Sequence, residues 1–325
     1  EILAAYGTEE QKARYLKPLL DGELVSCFSM TEPHAGADPK EFTCSAYKSG
    51  NEWVIQGDKY FSSHAEFADF IIAMVVTDPD VPVYQGTSMI LIPRETPGIE
   101  IIRRAGLPGE PLGEGHHPHI RYNNVRVPEE NLLGGPGQGF AVAQTRLGGG
   151  RIHHAMRTIA SCRKALQMMC ERALSRRTQG ELLAKKQMVQ DAIATSFIQL
   201  EQFRLLVLYA AWWCDKEDRD KARTYIAAVK VQMAEVMHDI ARRAIHLHGA
   251  LGISNEMSLW SMLITGEVMG LADGPTEVHK VTVARQVLKE HRAYDGLWPR
   301  EFLPTKVEEA RKKLADFIEH RVAND

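Results

Sequence analysis

The stretch GGPGQGF, residues 134–140, marks the point at which the hydrophobic pattern of this 325-residue chain changes. Before it, residues 23–133 carry short runs of β-branched and aromatic residues separated by Asn, Gly, Asp and Pro, which predicts a small all-β domain. After it, apolar residues recur in steps of three and four along 189–214 and 222–247, which predicts long amphipathic helices in an antiparallel bundle. The stretch itself lacks the Lys-Ser/Thr pair of a phosphate-binding loop, so a flexible joint is favoured.

Helical sequence also flanks these two zones. Residues 1–22 look like the end of one helix followed by another, and Thr8 with Gln11 forms a capping-box pattern. Because the chain opens in mid-helix, we expect further sequence upstream. The bundle should end near His291, before a linker and a tail helix in 292–325. The predicted fold class is therefore α+β, with short helices, a β domain and a helical bundle in that order.

The composition narrows the range of functions. A formal net charge of −3 gives no general attraction to nucleic acid or to an anionic membrane. The five cysteines are odd in number and include no CxxC pair, which favours the reduced thiols of an intracellular protein over a disulfide framework. No apolar run reaches transmembrane length. We therefore expect neither nucleic-acid binding nor a membrane span.

Several catalytic or metal-binding patterns are absent or incomplete. No GxGxxG opens a helix after a strand, and no Gly-x-Ser-x-Gly elbow suggests a hydrolase. The histidines fall into three groups, but no HExxH or Cys/His pairing accompanies them, so surface or core roles are favoured over a metal site. These groups are His116, His117 and His119; His153 and His154; and His246 and His248.

A single carboxylate, Asp273, lies on a Gly-Pro turn between two apolar helical segments. One interpretation is a helix cap, because Asp273 or Thr276 can accept a backbone N–H and Pro275 suits a first turn. The other is a catalytic carboxylate held in a defined place. Spacing alone favours the cap.

Five ordered segments decide between these interpretations. With the order helix, β domain and bundle, they resemble the acyl-CoA dehydrogenase family, and most of all the branch found fused to kinase-like and phosphatase-like domains in animals and free-standing in bacteria. The segments are FSMTEPHAGADP (28–39), GDKYFSSHAEFAD (57–69), LGGGRIHHAMRTIASCRKALQMMCERALSRRTQG (147–180), AIHLHGALGIS (244–254) and ADGPTEVHKVTVAR (272–285).

The resemblance implies a fold and a reaction. The fold has truncated N-terminal helices (1–22), a small middle β-barrel domain (23–133) and a C-terminal antiparallel four-helix bundle (134–291). The reaction is the FAD-dependent α,β-dehydrogenation of fatty acid β-oxidation, in which Asp273 takes the α-proton of an acyl-CoA thioester, the β-hydride passes to flavin N5, and trans-2-enoyl-CoA forms. Desolvation between substrate and flavin is expected to raise the pKa of this carboxyl and make it a competent base. The backbone N–H of the base is expected to stabilise the enolate.

The resemblance also assigns site residues position by position. Arg176 and Gln179 match a turn that reaches the adenine-diphosphate half of FAD across a dimer interface, and His246 with Gly249 matches the other wall of that site. Arg151 matches a residue that supports the substrate-binding helix, although a surface helix charge is an equally good interpretation. The implied cofactor-binding residues are Phe28, Met30, Thr31, Phe61, Ser63, Arg176, Gln179, His246, Gly249, Pro275 and Glu277, and the implied substrate-binding residues are Ala37, Arg151 and Gly274.

Three positions depart from the family pattern. Asp273 replaces the more common glutamate and shortens the reach by one methylene. Ala37 stands where many relatives have a serine that contacts CoA, and Pro275 replaces a flavin-contacting threonine. The implied partners are an acyl-CoA substrate, an electron-transfer flavoprotein as electron acceptor, and further copies in a homodimer or homotetramer. The implied location is the cytoplasm if the source is bacterial, and the mitochondrion or peroxisome if it is eukaryotic.

Two other functions stay open. A flavoprotein oxidase of the same fold, similar to nitroalkane oxidase, also uses an aspartate base, and its CoA-free substrate would fit Ala37. A non-catalytic partner subunit would fit the truncated start, although the presence of Asp273, Thr31 and Ser63 argues against it.

The tail predicts one more helix. Thr305 with Glu308 forms a capping-box pattern, and apolar residues at helical spacing favour packing on the bundle. The same pattern weakly resembles the opening helix of the family. The tail could therefore supply that helix within the chain or to a neighbour, or begin a second, truncated copy. The apolar residues are Val307, Ala310, Leu314, Phe317 and Ile318.

Overall fold

The N-terminal part of the chain is helical, as predicted. The structure, a computed structural model, describes residues 1–315, 317 and 319. The Thr8–Gln11 capping box is present, since the Gln11 N–H donates to Thr8 Oγ1 and the Thr8 N–H donates to Gln11 Oε1, each over 3.2 Å. The helices are α1 (Ile2–Tyr6), α2 (Glu9–Gln11) and α3 (Lys17–Asp21), with a π-helical turn at Lys12–Leu16.

The next segment forms one mixed sheet. Its strands are β1 (Ser26–Ser29), β2 (Ser45–Ser49), β3 (Glu52–Lys59), β4 (Phe70–Val76), β5 (Thr87–Pro93), β6 (Ile99–Ala105), β7 (His117–Pro128) and β8 (Leu132–Leu133), with a short helix α4 (Val83–Gly86) before β5. The strand order is β6-β7-β3-β2-β4-β5-β8, and β1 pairs with β4 in parallel. Among the described residues the end strands β6 and β8 do not pair with each other, so the barrel is open.

A helical bundle follows the sheet. Its helices are α5 (Gly139–Ser175), α6 (Gln187–Asp215), α7 (Arg219–His248), α8 (Ala250–Ile253), α9 (Leu259–Leu271) and α10 (Thr276–Lys289), and a hairpin of β9 (Arg177–Thr178) and β10 (Glu181–Leu182) joins α5 to α6. Helices α6 and α7 contain 29 and 30 residues, which is about eight turns each. Helices α9 and α10 pack on α7 and meet at the turn that carries Asp273.

The glycine-rich joint is closely packed rather than open. A Cβ on Gly139 would lie 2.8 Å from the backbone of Ser88 in β5, and one on Gly137 would lie 2.4 Å from the Gln85 carbonyl oxygen. The Gly137 N–H also donates to Ser88 Oγ over 3.0 Å. The prediction of a flexible joint is therefore wrong, because the glycines allow the start of α5 to approach the sheet.

Alternate residues of β4 face two hydrophobic cores. One set packs with residues of β2, β3 and β7, and the other packs with α1 and the first turns of α5. Burial on both faces explains the uninterrupted apolar sequence of this strand and holds the bundle against the sheet. The two sets are Ile71, Ala73 and Val75, and Phe70, Ile72 and Met74.

The tail contains the predicted helix, but this helix does not pack on the bundle. Helix α11 (Leu303–Lys313) has Phe302 at its N-cap without a side-chain cap, so the capping box expected at Thr305 is wrong. Leu314 is 48% exposed and Phe317 is 58% exposed, which contradicts the expected burial against the bundle. The predicted contact residue Ile318 lies outside the described residues. No helix in the described part of the chain has the length and hydropathy that crossing a bilayer requires.

Candidate active site

Asp273 occupies the turn between α9 and α10 in a left-handed backbone conformation. Its φ angle is 57°, which is uncommon for a residue with a side chain and is found mainly where the surroundings impose it. Gly274 follows with φ at 99°, and a Cβ there would lie 3.0 Å from His279 Nε2. Both the backbone angle and the available space therefore require glycine at this position.

The turn does not act as a helix cap through its side chains. Helix α10 begins at Thr276 with Pro275 at the N-cap and no side-chain cap. The Thr276 hydroxyl instead donates to the Gly270 carbonyl over 3.1 Å. The cap interpretation of Asp273 and Thr276 is therefore wrong, and the carboxylate is free for another role.

The backbone carbonyl of Asp273 accepts hydrogen bonds from two side chains. Arg151 Nε and Nη2 each donate to it over 3.1 Å, and His279 Nε2 lies 3.3 Å away. Burial and the nearby Arg151 charge lower the pKa of His279 to about 4, so its ring is neutral near pH 7. Arg151 is thus not a surface helix charge, since it fixes the position of the Asp273 backbone.

The carboxylate of Asp273 faces helix α5. His154 Nε2 lies 3.3 Å from Oδ2, and Arg146 Nη1 lies 3.7 Å from Oδ1. Arg146, Gly150 and His154 follow one another at four-residue spacing and share one face of the helix. Burial raises the pKa of Asp273, but the His154 hydrogen bond and the charges of Arg146 and Arg151 outweigh it, so the pKa lies below its usual value. The expected rise in this pKa concerns the carboxylate enclosed by substrate and flavin, and it stays a prediction.

A buried lysine holds the segment before Asp273. Lys230 on α7 is 1% exposed and donates to the Met269 carbonyl near the end of α9. Burial lowers the pKa of Lys230 to about 8. No sequence motif pointed to Lys230, although a lysine inside the apolar stripe at 222–247 indicates a buried charge, which requires partners.

Arg146 also connects the bundle to the β domain. Its guanidinium carbon lies 4.4 Å from the ring centroid of Phe28 at the end of β1. One side chain thus contacts the proposed base, Asp273, and a residue assigned to the flavin. The structure brings these two predicted site residues to the same region.

A buried ion pair shapes the segment that follows β1. Lys59 Nζ donates to Glu32 Oε1 and to the Met30 carbonyl, each over 2.8 Å, and both charged side chains are almost fully buried. The Tyr60 N–H donates to the Thr31 carbonyl over 2.8 Å. These contacts hold the two predicted flavin segments side by side. The sequence motifs predicted no role for Glu32 or Lys59.

The residues at this edge suit a flavin ring. Phe61 has φ at 54° and is 52% exposed, while Phe28 and Met30 are half-buried. The Thr31 and Ser63 side chains are half-buried beside them, and Ser63 Oγ lies 2.7 Å from His117 Nδ1. A flat heteroaromatic ring with polar edges fits an apolar wall bordered by hydroxyls. The residues present therefore fit FAD.

The other assigned cofactor residues lie at the far end of the bundle. Arg176 and Gln179 are exposed next to the hairpin after α5, and His246 and Gly249 are exposed at the end of α7. Arg176 follows Arg151 by 25 residues, which corresponds to about 37 Å along α5. One chain therefore does not bring these residues to Asp273.

Three more assigned residues lie close in sequence to Thr31 or to Asp273. Ala37 is exposed in the loop after Thr31, Glu277 is exposed in the first turn of α10, and Pro275 is half-buried in the turn. Their contacts with substrate or flavin stay predictions.

Comparisons with known proteins agree with this arrangement. The acyl-CoA dehydrogenase middle-domain model matches residues 27–119, and the C-terminal-domain model matches residues 137–288. The chain is 42% identical over 298 residues to the protein named probable acyl-CoA dehydrogenase FadE2 of Mycobacterium tuberculosis, covering 90% of this chain and 72% of that one. It is 41% identical to acyl-CoA dehydrogenase family member 10 of Mus musculus, covering 92% of this chain but 28% of that protein.

Solved structures give the same result. Butyryl-CoA dehydrogenase from Megasphaera elsdenii matches with a TM-score of 0.81 at 26% identity, covering 88% of this chain and 74% of that one. A structure of the electron transferring flavoprotein of Acidaminococcus fermentans matches with a TM-score of 0.81 at 26% identity, covering 89% and 74%. The chain belongs to the acyl-CoA dehydrogenase family, whose members are oxidoreductases with FAD as their cofactor.

Proposed function

We propose that the protein catalyses the FAD-dependent α,β-dehydrogenation of an acyl-CoA thioester to the trans-2-enoyl-CoA, with Asp273 as the base. The observation that supports this most is the left-handed Asp273 turn, whose carbonyl accepts hydrogen bonds from Arg151 and His279. A carboxylate fixed in this way has a defined direction toward a substrate, which is what proton abstraction from carbon requires.

The chain's own residues have separable parts in this proposal. Asp273 accepts the α-proton, and its backbone N–H stabilises the negative charge that develops on the thioester oxygen. Phe28, Met30 and Phe61 hold the flavin ring, while Thr31 and Ser63 offer hydroxyls to its polar edge. When bound, FAD supplies the acceptor for the hydride that leaves the β-carbon.

The low pKa of Asp273 in the substrate-free site should change when substrate binds. Binding of a substrate acyl chain removes water from the carboxylate and opposes the effect of His154 and Arg146, because burial favours the neutral form. The pKa should therefore rise in the complex with substrate. An ionised carboxylate before binding and a stronger base after binding are both useful for catalysis.

We also propose that two copies form the complete site. The far-end residues Arg176 and Gln179 would then contact the FAD of a neighbouring chain. The exposed apolar side chains of α6 provide a surface for such an assembly. They include Phe197, which lies within the apolar stripe at 189–214, together with Ile198, Leu205, Leu208 and Trp212. The proposed assembly is a homodimer or a homotetramer.

The electron acceptor is proposed to be an electron-transfer flavoprotein. The structural match to a protein of that name from Acidaminococcus fermentans supports an association between this fold and such electron transfer. Stopped-flow oxidation of the reduced enzyme by a purified electron-transfer flavoprotein would test it.

Anaerobic flavin reduction by a panel of acyl-CoA thioesters tests the reaction. Asp273→Asn should retain FAD but lose flavin reduction by about 10³-fold or more, because the substitution removes the base and keeps the shape. Asp191→Asn, at an exposed position on α6, is the matched control and should reduce flavin as the wild type does. Reduction of Asp273→Asn at the wild-type rate would refute the proposal.

A second candidate is an oxidase of the same fold that acts on a more acidic carbon acid without CoA. The low pKa of Asp273 favours it, because a weak base suffices for an acidic C–H. Ala37 also suits a CoA-free substrate. Reduced flavin that oxygen reoxidises rapidly would identify an oxidase, whereas slow reoxidation would identify a dehydrogenase. A purified homo-oligomer without FAD would instead indicate a non-catalytic partner subunit.

A further inference from the structure

We infer that His154 is a positioning residue for Asp273: it holds Oδ2 toward helix α5 and leaves Oδ1 to take the substrate proton. This inference rests on the proposed function, because it assigns separate tasks to the two oxygens of the proposed base. None of the family motifs identified in the sequence assigned a role to His154.

The two carboxylate oxygens lie in different surroundings. Oδ2 is 3.3 Å from His154 Nε2, and it lies 3.6 Å from the position that a Cβ on Gly150 would occupy. Oδ2 therefore packs against α5. Oδ1 lies 3.7 Å from Arg146 Nη1, which is longer than a hydrogen bond. The Arg146 side chain is 42% exposed and that of Asp273 is 15% exposed, so this ion pair borders solvent-accessible space.

The second ring nitrogen of His154 indicates which proton the ring carries. Nδ1 is buried and has no hydrogen-bond partner among the described residues. A proton on Nδ1 would be a buried donor without an acceptor, which is unfavourable. A proton on Nε2 avoids this, because Nε2 faces Asp273 Oδ2 over 3.3 Å. Around the pair lie the other ionisable groups Arg146, Arg151 and His153 of α5, Lys230 of α7 and His279 of α10.

Loss of this donor should change when Asp273 is ionised. Without His154, the carboxylate is still buried but has lost a hydrogen bond to its ionised form, so its pKa should rise. The acidic limb of the pH profile of flavin reduction, which reports protonation of the base, should then move to higher pH. Glutamine at 154 keeps an N–H donor and should move the limb less than leucine does.

The test compares His154→Leu and His154→Gln with His153→Leu, a substitution at the exposed neighbouring position. The first readout is the rate of anaerobic flavin reduction by an acyl-CoA as a function of pH. We expect the acidic limb to rise by about one pH unit in His154→Leu, by less in His154→Gln, and not at all in His153→Leu. At pH values below the limb, this corresponds to about a tenfold loss of rate.

A second readout is independent of turnover. The carboxyl bands of ¹³C-labelled aspartate are followed by infrared spectroscopy of the substrate-free holoenzyme against pH, with Asp273→Asn as the blank. Protonation of Asp273 at higher pH in His154→Gln than in wild type supports the inference even where His154→Leu does not fold. An unchanged Asp273 titration and an unchanged acidic limb would overturn it.

The two proposals fail in different ways. If Asp273→Asn still reduces flavin at the wild-type rate, the assignment of the base is lost, whatever His154 does. If Asp273→Asn is inactive and the His154 variants keep the wild-type titration, only the positioning role is lost.

Discussion

The two ends of helix α5 hold predicted site residues in opposite ways. Near its beginning, Arg146, Arg151 and His154 converge on Asp273, which is 15% exposed and contacted through its carbonyl and its carboxylate. At its end, Arg176 is exposed next to the hairpin. The difference supports the proposal that one chain organises the residues for proton abstraction by itself. In the same proposal, the residues assigned to the adenine half of FAD serve a second copy.

Removal of Arg151 should have the largest effect at the first end. Arg151→Met leaves the Asp273 carbonyl without its two guanidinium hydrogen bonds and allows the turn to shift. A small displacement of a catalytic group costs about 10²-fold in rate, so we expect that loss in anaerobic flavin reduction. Arg157→Met, on the exposed side of the same helix, should leave the rate unchanged. A rate for Arg151→Met within about twofold of wild type would show that the hydrogen bonds from Arg151 to the Asp273 carbonyl do not position the base.

The buried Lys230, which holds the segment before Asp273, gives a second prediction, and this one concerns the free energy of unfolding. The pKa of Lys230 is about 8 in the folded protein, against 10.5 for an unperturbed lysine, so the unfolded chain binds more protons between these values. The free energy of unfolding should therefore rise with pH in this window, by about 2 to 3 kcal/mol between pH 7 and pH 10 relative to Lys230→Met.

Urea denaturation of wild type and variant across this pH range measures the difference. Lys280→Met, at an exposed lysine of α10, is the control and should follow the wild type. A difference between wild type and Lys230→Met that stays constant with pH would show that Lys230 keeps its ordinary pKa.

Substitution of Arg176, at the other end of helix α5, should have the smallest effect. Arg176→Ala removes a guanidinium assigned to the diphosphate half of FAD, so the dissociation constant for FAD should rise about tenfold, as for one hydrogen bond to a charged group. Fluorescence titration of the apoprotein with FAD measures it, and Arg177→Ala on the same hairpin is the matched control. Equal affinity in both variants would remove Arg176 from the cofactor site.

Much of the fold could be predicted because its signals are local. The period of apolar residues gave the α6 and α7 helices, and the Thr8–Gln11 capping box depends on only four residues. Contacts across the chain could not be predicted in this way. The exposed face of α11 and the close packing of Gly139 on β5 depend on which surfaces meet, and the helical period does not contain that information.

The candidate site shows the same difference between local signals, which could be predicted, and contacts across the chain, which could not. Asp273 was identified because its turn matches a family motif. The hydrogen bonds from Arg151 to the Asp273 carbonyl join residues 122 positions apart, and the sequence offered both a structural and a surface interpretation of that arginine. The sequence favours a surface or core role for His154, although its four-residue spacing from Gly150 and Arg146 places the three residues on one helix face. The spacing gave a shared helix face but not the carboxylate opposite it.

Mixed dimers test the central claim that one chain supplies Asp273 and its neighbour supplies Arg176. Asp273→Asn and Arg176→Ala chains with different affinity tags are coexpressed, and the species carrying both tags is isolated. In a shared site, one of its two flavin sites contains both defects and the other contains neither. At limiting FAD, we therefore expect about half of the wild-type flavin reduction, far above either parent dimer. Flavin reduction no greater than the average of the two parents would show that each chain builds its site alone and would contradict the account.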